Sequence, residues 1–253
     1  MKLINKEKFT RLPDAILLDT DNTLYPYDPA HQTALQAVKE KASKILSIST
    51  VDFEASFNEA KKQIKSQLGN TASSHSRLLY MQRTFEILGL GSQVLLSLDL
   101  EQTYWRTFLN NAVLFDEVKE FLDDIRLLNI PIAIVTDLTA QIQFRKIVFF
   151  ELDQTVDYIV TSEEAGFDKP DEAPFKLALE KLQPKDNCIW MIGDDSESDI
   201  CGAKDKISAI TLQKVESYSK IGTDGYLPDL AFKEFKELRA LIKTLDNDAQ
   251  DSD

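Results

Sequence analysis

The chain has 253 residues, of which 43% are apolar and 28% charged, a balance typical of a globular protein that can bury a core without disulfides. Acidic residues outnumber basic ones by 42 to 29, giving a formal net charge of −13. Because nucleic-acid binding depends on basic side chains that neutralise phosphates, this balance argues against a nucleic-acid partner.

Short apolar runs followed by turn-forming residues predict the strands of a sheet. In chain order they are residues 15–18, 130–135, 158–160, 188–192 and, more weakly, 207–212. Amphipathic segments predict helices at 117–128, 139–149, 173–182, 198–204 and 230–245. Continuous apolar strands that alternate with helices are typical of an α/β fold with a parallel, Rossmann-like sheet covered on both faces.

Residues 27–114 carry no strand pattern and predict four helices, at 29–46, 51–68, 76–88 and 92–109. An ordinary connection between a strand and a helix needs only about 2–6 residues. We therefore expect an all-helical cap domain, 27–114, inserted into an α/β core domain formed by 1–26 and 115–245. The acidic residues 246–253 are expected to be a solvated, disordered tail.

Carboxylates follow two of the predicted strands. Asp19 and Asp21 come after the first strand, and Asp194 and Asp199 come after the run 188–192. In open α/β sheets ligands bind at the carboxyl ends of the strands, so we expect these side chains to meet. Like charges held close together need compensation, and hard oxygen ligands at a partly hydrated site suit Mg²⁺. The pattern thus predicts a Mg²⁺ site.

Two further polar residues belong to the same predicted edge of the sheet. Thr136 follows the second strand, and Lys169 lies in a loop after the third. Lys169 adds a positive charge, which would make the site attractive to a phosphate despite the acidic chain. Taken alone, each residue has an ordinary explanation as a turn, cap or solvated surface residue. Their ordered appearance after successive strands favours one shared site.

In this order, residues 19–24 (DTDNTL), Thr136, the Lys169-Pro170 pair and residues 193–199 (GDDSESD) resemble the four motifs of the haloacid dehalogenase-like (HAD) superfamily. The resemblance covers about 13–26 and 115–245. The helical insertion is similar to the superfamily's C1-type cap. The sequence DNTLYP in the first motif looks closest to that of the nucleotidase-like and small-phosphate phosphatase members.

The resemblance implies a Mg²⁺-dependent phosphatase that hydrolyses a small cytosolic phosphomonoester through an aspartyl-phosphate. Asp19 would attack phosphorus, and Asp21 would protonate the leaving oxygen and then activate water. Thr136 would hydrogen-bond a phosphoryl oxygen, while Lys169 would hold Asp19 and neutralise developing charge. The second aspartate, Asp21, favours phosphoryl transfer over dehalogenation, since dehalogenases of the superfamily typically lack it.

The resemblance also implies roles for the remaining motif residues. Asp194 would be a direct Mg²⁺ ligand, and the backbone carbonyl of Asp21 would also reach the metal. Asp199 would lie next to these ligands and hold them in place. Thr23 and Asp137 are expected to contact the substrate. Asp137 departs from the family pattern, because many members have Asn there. Its carboxylate would be unfavourable beside a phosphate unless the side chain turned away.

No residue of the core motifs is expected to recognise the leaving group, so we expect the insertion to select the substrate. Its least helical part is 68–77, where we expect His75 or Arg77 to contact a substrate anion. The alternative is an ordinary turn in which a serine caps the next helix. We interpret the aromatic residues that follow at helical spacing as the core of the insertion.

Two other functions stay open on the sequence. A phosphomutase or phosphotransferase would use the same scaffold and differ only in the acceptor. The second alternative is a binding or regulatory protein with an impaired site. Asp137 is the motif residue that favours it. The two cysteines do not make a disulfide framework, which indicates a cytoplasmic location. We expect a small phosphorylated metabolite as partner, no membrane, and a monomer or homodimer.

Overall fold

The computed structural model describes residues 1–222 and 226–250, with the side chains of residues 249 and 250 left out. The described chain divides into two compact units. The core unit comprises Met1–Tyr25 together with the described residues from Leu114 onward, and the helical unit is Pro26–Val113.

The described part of the core unit contains one seven-stranded sheet. Its strands are β1 (Lys2–Leu3), β2 (Ala15–Leu18), β3 (Ile132–Thr136), β4 (Tyr158–Thr161), β5 (Ile189–Gly193), β6 (Ile210–Lys214) and β7 (Leu230–Phe232). Their order is β1-β7-β6-β5-β2-β3-β4, and all pairs are parallel except β1 with β7. Strands β2, β3 and β5 are buried along their whole length, which explains their uninterrupted apolar sequences. The predicted α/β fold with a parallel sheet is confirmed.

Helices α1 to α4 belong to the helical unit, and α5 to α10 to the core unit. They are α1 (Tyr27–Leu46), α2 (Thr50–Leu68), α3 (Arg77–Ile87), α4 (Val94–Asn111), α5 (Val118–Leu127), α6 (Ala140–Phe149), α7 (Ser162–Ala165), α8 (Glu172–Leu182), α9 (Gly202–Ile207) and α10 (Phe235–Gln250). Among the described helices, none combines the length and the apolar character that crossing a membrane requires.

The core unit buries one side of its sheet against helices with apolar stripes. Phe175 and Ala178 of α8 are fully buried in the same cluster as Leu17, Val135 and Met191 of the three central strands. Burial of each large apolar side chain contributes roughly 1.5–3 kcal/mol. This packing holds β2, β3 and β5 in register, so that the loops after them share one edge of the sheet.

The structure corrects two expectations about the C-terminal region. Leu230–Phe232 is not the start of a helix but the strand β7, because this apolar triplet pairs with Leu212–Lys214 of β6. Residues 246–250 are not a disordered tail but the last turns of α10. Leu238, Ile242 and Leu245 anchor that helix by burial, and once a helix is anchored each further residue adds a hydrogen bond. Residues 251–253 of the predicted tail lie outside the described residues.

Smaller differences concern the segment that follows β5 and the first residues of the chain. The weak run 207–212 splits, because Ile207 ends α9 and the strand β6 begins at Ile210. A widened helical turn, Ser196–Cys201, precedes α9 where one helix was expected from residue 198. Strand β1 was not predicted at all, since two residues are too few to carry a periodic pattern.

The helical unit has an aromatic core of its own. Tyr80, Phe85, Tyr104, Trp105 and Phe108 are each at most 3% exposed, which confirms their interpretation as core residues. Serine side chains cap two of the helices: Ser49 Oγ accepts from the Asp52 N–H, and Ser76 Oγ accepts from the Leu79 N–H.

Candidate active site

Three of the four predicted carboxylates meet where two neighbouring strands end, whereas the fourth, Asp21, pairs with Lys146. Asp19 follows β2 and Asp194 follows β5, and these strands pair in parallel with Leu18 beside Ile192. One carboxylate oxygen from each of Asp19, Asp194 and Asp199 can be chosen so that all three lie within 4.8 Å of one another. The sheet therefore brings Asp19 together with two carboxylates that lie 175 and 180 positions later in the chain.

Lys169 supplies the positive charge of this cluster. Its ammonium Nζ lies 2.8 Å from Asp19 Oδ1 and 2.6 Å from Asp199 Oδ1, and it also donates to the Val135 carbonyl at 2.9 Å. Burial lowers the pKa of Lys169, but the two carboxylates outweigh it and hold that pKa well above its ordinary value. Lys169 is therefore a permanent cation that fixes one oxygen of Asp19.

The other oxygen of Asp19 is also held. Thr23 Oγ1 donates to Asp19 Oδ2 at 3.0 Å, and the Thr23 side chain is fully buried. The loop can return this threonine to Asp19 because Asn22 adopts the left-handed conformation, with φ of 59°. Thr23 thus contacts the proposed nucleophile directly, and its predicted contact with substrate stays a prediction.

A close backbone approach places Asp199. A Cβ atom on Gly193 would lie 2.3 Å from Asp199 Oδ2, which is far inside van der Waals contact, so only glycine fits there. The Asp195 N–H donates to the same Asp199 oxygen at 3.1 Å. Asp195 itself caps the helical turn that follows, accepting from the Glu197 and Ser198 N–H groups. The glycine and the turn together aim Asp199 back at Lys169.

The cluster carries more negative than positive charge. Burial and the neighbouring charge of Asp19 raise the pKa of Asp194 to about 8, and burial is likewise the main reason that the pKa of Asp199 is raised. Three carboxylates and one ammonium therefore share a largely buried space. This donor set, hard oxygens with an uncompensated negative charge, fits a divalent cation such as Mg²⁺.

Thr136, at the end of β3, joins the same edge of the sheet. Its hydroxyl lies 2.9 Å from the Thr20 hydroxyl, one residue after Asp19. The Gln143 amide of α6 donates to Thr136 Oγ1 at 2.9 Å and to the Asp137 carbonyl at 2.6 Å. Because Gln143 occupies an acceptor position of Thr136, it favours an arrangement in which the threonine hydroxyl donates.

The Asp137 side chain makes its hydrogen bonds within the core unit. Its Oδ1 accepts from the Lys169 backbone N–H at 2.9 Å and lies 3.4 Å from the Ser162 hydroxyl. Burial raises the pKa of Asp137, partly opposed by the charge of Lys169. One side-chain oxygen at this position is therefore used for a backbone contact within the core unit, a contact that an Asn side chain could also accept. A contact between Asp137 and substrate stays a prediction.

Asp21 is held by two side chains that the sequence did not single out for this purpose. The Lys146 ammonium of α6 lies 2.7 Å from Asp21 Oδ1 and 3.1 Å from Oδ2, and the Tyr25 hydroxyl donates to Oδ1. Lys146 and Gln143 lie on the buried stripe of α6 beside Ile142 and Ile147. Two polar residues within an apolar helical stripe were the sequence signal that could have identified them.

The predicted substrate contacts His75 and Arg77 lie in the helical unit. The Arg77 guanidinium donates to the His75 carbonyl and the Tyr27 hydroxyl, and it lies 5.3 Å from the Tyr104 ring centroid and 5.5 Å from that of Trp105. Cation–π contacts of this kind stabilise the packing of the unit. Ser76 caps α3, as the alternative interpretation expected, and the substrate contacts of His75 and Arg77 stay predictions.

Comparison with known proteins agrees with the motifs. The family model "haloacid dehalogenase-like hydrolase" matches residues 13–205. A ribulose-1,5-bisphosphate 5-phosphatase of Halopiger xanaduensis is 36% identical over 190 residues, which cover 75% of this chain and 80% of that protein. A glyceraldehyde 3-phosphate phosphatase of Methanocaldococcus jannaschii is 25% identical over 234 residues, covering 92% and 98% of the two chains.

Solved structures share the fold at low identity. A magnesium-bound HAD-hydrolase of Bacillus subtilis has a TM-score of 0.69 at 19% identity and covers 92% of this chain and all of that one. A 2-haloacid dehalogenase of Pseudomonas syringae has a TM-score of 0.70 at 18% identity, covering 92% and 99%. The nucleotidase-like subtype and the C1-type assignment stay predictions. The family match over residues 13–205, together with the assembled motif residues, shows that the chain belongs to the haloacid dehalogenase-like hydrolases and is an enzyme.

Proposed function

We propose that the protein is a Mg²⁺-dependent phosphatase that removes one phosphoryl group from a small phosphorylated sugar through an aspartyl-phosphate. The two similar phosphatases, from Halopiger xanaduensis and Methanocaldococcus jannaschii, have names that specify phosphorylated sugars as substrates. Within this chain, the observation that carries the proposal is Lys169, whose ammonium lies 2.8 Å from Asp19 and 2.6 Å from Asp199 beside the Asp194 carboxylate.

Asp19 is the nucleophile in this proposal because its carboxylate is paired with the Lys169 ammonium and fixed in direction. Lys169 holds Oδ1 and Thr23 holds Oδ2, so the side chain cannot rotate away from the incoming phosphorus. A carboxylate oxygen forms the new P–O bond while the bond from phosphorus to the sugar oxygen breaks. Asp21 gives a proton to that departing oxygen, so the sugar leaves as an alcohol.

The second step returns Asp19 to its starting state. Asp21, now ionised, takes a proton from a water molecule whose oxygen attacks phosphorus. The P–O bond to Asp19 breaks, and inorganic phosphate leaves. Thr136 accepts from Gln143, so its hydroxyl is set to donate, and we propose that its proton turns from the Thr20 hydroxyl or the Asp137 carbonyl to a phosphoryl oxygen. Lys169 balances the charge that accumulates on the phosphoryl group in both steps, where electrostatic stabilisation supplies most of the catalysis.

Asp19, Asp194 and Asp199 are the side chains proposed to hold Mg²⁺, with the Asp21 backbone carbonyl as a further ligand. When bound, the cation supplies positive charge beside the phosphoryl oxygens and offsets the repulsion among the carboxylates.

Phosphate release from a substrate panel tests the proposal. The panel contains ribulose 1,5-bisphosphate, glyceraldehyde 3-phosphate, nucleoside monophosphates and 4-nitrophenyl phosphate, each with Mg²⁺ and with EDTA. Asp19→Asn removes the nucleophile with little change in volume, and Asp153→Asn is a matched change at an exposed aspartate.

We expect sugar phosphates to be preferred, EDTA to abolish release, Asp19→Asn to be inactive and Asp153→Asn to match wild type. Phosphate release that survives in Asp19→Asn would contradict the proposed nucleophile. Equal inertness of wild type and Asp19→Asn on every substrate would overturn the phosphatase. Transfer of phosphate to an added sugar would instead support the phosphomutase or phosphotransferase alternative.

A further inference from the structure

Helix α6 places a buried ammonium against the second aspartate of the first motif. Lys146 is 1% exposed, whereas the Asp21 side chain to which it binds is 35% exposed. The ammonium lies within 3.1 Å of both Asp21 carboxylate oxygens, so it binds the carboxylate through both of them. Tyr25 donates to one of the same oxygens, and its ring centroid lies 5.8 Å from Lys146 Nζ. The Asp21 carboxylate is thus held from its buried side.

The position that Lys146 occupies would ordinarily suit an apolar residue. It lies on the stripe of α6 that also buries Ile142 and Ile147. Burying an ammonium is costly unless it is paired, and a buried ion pair is weak evidence for net stabilisation. Asp21, by contrast, is exposed enough to be solvated without a partner. The main effect of the contact is therefore on direction: it selects one orientation of the Asp21 carboxylate.

The same helix also supports the second motif. Gln143, 1% exposed, lies three residues before Lys146 and therefore on the same face of α6. It donates to Thr136 Oγ1 and to the Asp137 carbonyl. One face of α6 thus contacts the ends of two strands, at Asp21 after β2 and at Thr136 on β3. A rigid helix that contacts both motifs can keep their side chains in a fixed relation.

We propose that Lys146 is a positioning residue for phosphoryl transfer: its ammonium fixes the Asp21 carboxylate in the orientation from which it exchanges protons with the leaving oxygen and then with water. This inference rests on the proposed function. Lys146 acts through Asp21 and does not itself touch the reacting atoms. Because a misplacement of about 1 Å in a reacting group can cost roughly 100-fold in rate, loss of the contact should lower kcat by about that factor.

Lys146→Met tests the proposal, since it keeps an unbranched side chain of similar volume and removes the charge. Two substrates are compared. A sugar phosphate has an alkoxide leaving group that needs a proton, whereas 4-nitrophenyl phosphate releases a stable phenolate that does not. For the aryl phosphate, nitrophenolate release is measured in the first turnover, before the water-dependent step. Lys119→Met, a matched change at a lysine on the surface of the core unit, is the control.

We expect Lys146→Met to lower kcat on the sugar phosphate about 100-fold, with KM within about threefold, and to lower first-turnover nitrophenolate release by about tenfold or less. Lys119→Met should match wild type. Combined with Asp21→Asn, Lys146→Met should cause no further loss, because its target is already absent. Additive losses in the double variant, or equal losses on the two substrates, would overturn the proposal, as would an unchanged kcat.

Two further measurements cover a variant that fails to fold and a wild type that fails to turn over. Lys146→Arg keeps the positive charge but changes the geometry of the donor. We expect it to lower kcat on the sugar phosphate more than first-turnover release of nitrophenolate. A crystal structure of Lys146→Met, or of Lys146→Arg if the first does not fold, reports the Asp21 orientation without any need for activity. A carboxylate that stays in its wild-type orientation would overturn the positioning role. Inertness of the wild type on every substrate overturns the proposed function instead.

Discussion

The side chain of Asp137 accepts a hydrogen bond from the backbone N–H of Lys169 at 2.9 Å. This contact ties the end of β3 to the loop that carries the buried lysine. It also gives the acidic residue at this position a structural purpose that is independent of any bound phosphate, because one carboxylate oxygen is already used within the core unit.

Asp137→Asn should keep kcat/KM within about threefold of wild type, because an amide oxygen accepts the same N–H. Asp137→Ala removes the acceptor and leaves the buried Lys169 N–H unpaired, which costs roughly 1–3 kcal/mol of stability. Because this N–H belongs to the lysine that holds Asp19, we expect the lysine to shift and kcat/KM to fall about tenfold or more. Steady-state kinetics on one sugar phosphate compares the two. Equal losses in Asn and Ala would show that the negative charge, and not the hydrogen bond, is what the site requires.

Mg²⁺ should stabilise the folded protein against heat. A ligand that binds only the native state at about 100 times its Kd adds roughly 2.7 kcal/mol. For a chain of this size that corresponds to a rise in Tm of about 5–10 °C, which EDTA should reverse. Asp194→Asn removes one of the three clustered carboxylates and should abolish most of the rise, while Asp153→Asn should keep it. A Tm that ignores Mg²⁺ in wild type would count against the metal site.

Gly193→Ala should disable the site through Asp199. The added Cβ would lie 2.3 Å from Asp199 Oδ2, so the carboxylate must move away from Lys169. We expect loss of nearly all activity and a stability cost of about 1–3 kcal/mol, typical of overpacking. Urea unfolding of Gly193→Ala, Asp199→Ala and the double variant provides the check. If the two changes clash as described, Asp199→Ala relieves the cost, whereas simple additivity would locate the strain elsewhere.

His31 should remain neutral well below the ordinary range of histidine. Its ring stacks on Tyr27 and its Nδ1 lies 2.6 Å from the Tyr104 hydroxyl. Burial, with the charges of Arg77 and Lys61, lowers the pKa of His31 from 6.5 to about 4. The unfolded chain therefore binds more protons than the folded one between those two values. This part of the stability is complete above pH 6.5 and is lost as pH falls towards 4.

An NMR titration measures this pKa directly, since the chain has only two histidines. His31→Asn identifies the His31 resonance by its disappearance. That resonance should stay at its neutral chemical shift down to about pH 5 and move only near pH 4. A midpoint between 6 and 7 would mean that the ring is solvated and that its contacts with the tyrosines do not persist in solution.

Local sequence patterns determined five of the seven described strands, their order along the chain and the groups at their ends. Apolar runs such as 15–18 and 188–192 are legible because central parallel strands are buried on both faces, and the aspartates after them follow directly. The sequence alone therefore assigns Asp19, Thr136, Lys169 and Asp199 to one site, and the fold does bring their side chains to one edge of the sheet.

The contact of Lys169 with Asp19 was expected, but only the tertiary structure decided which further groups hold the site residues in place. Lys146 lies 125 positions from Asp21, and its pairing depends on how α6 packs beside β2 and β3. The strand β7 and the use of the Asp137 carboxylate depend in the same way on partners distant in the chain, at Leu212–Lys214 and at Lys169. The local sequence shows the spacing at which side chains are buried and which chemical groups are present. Which partner it meets is set by the packing of the whole core unit, because the free energy of a buried charge or an unpaired strand edge depends on what lies across from it.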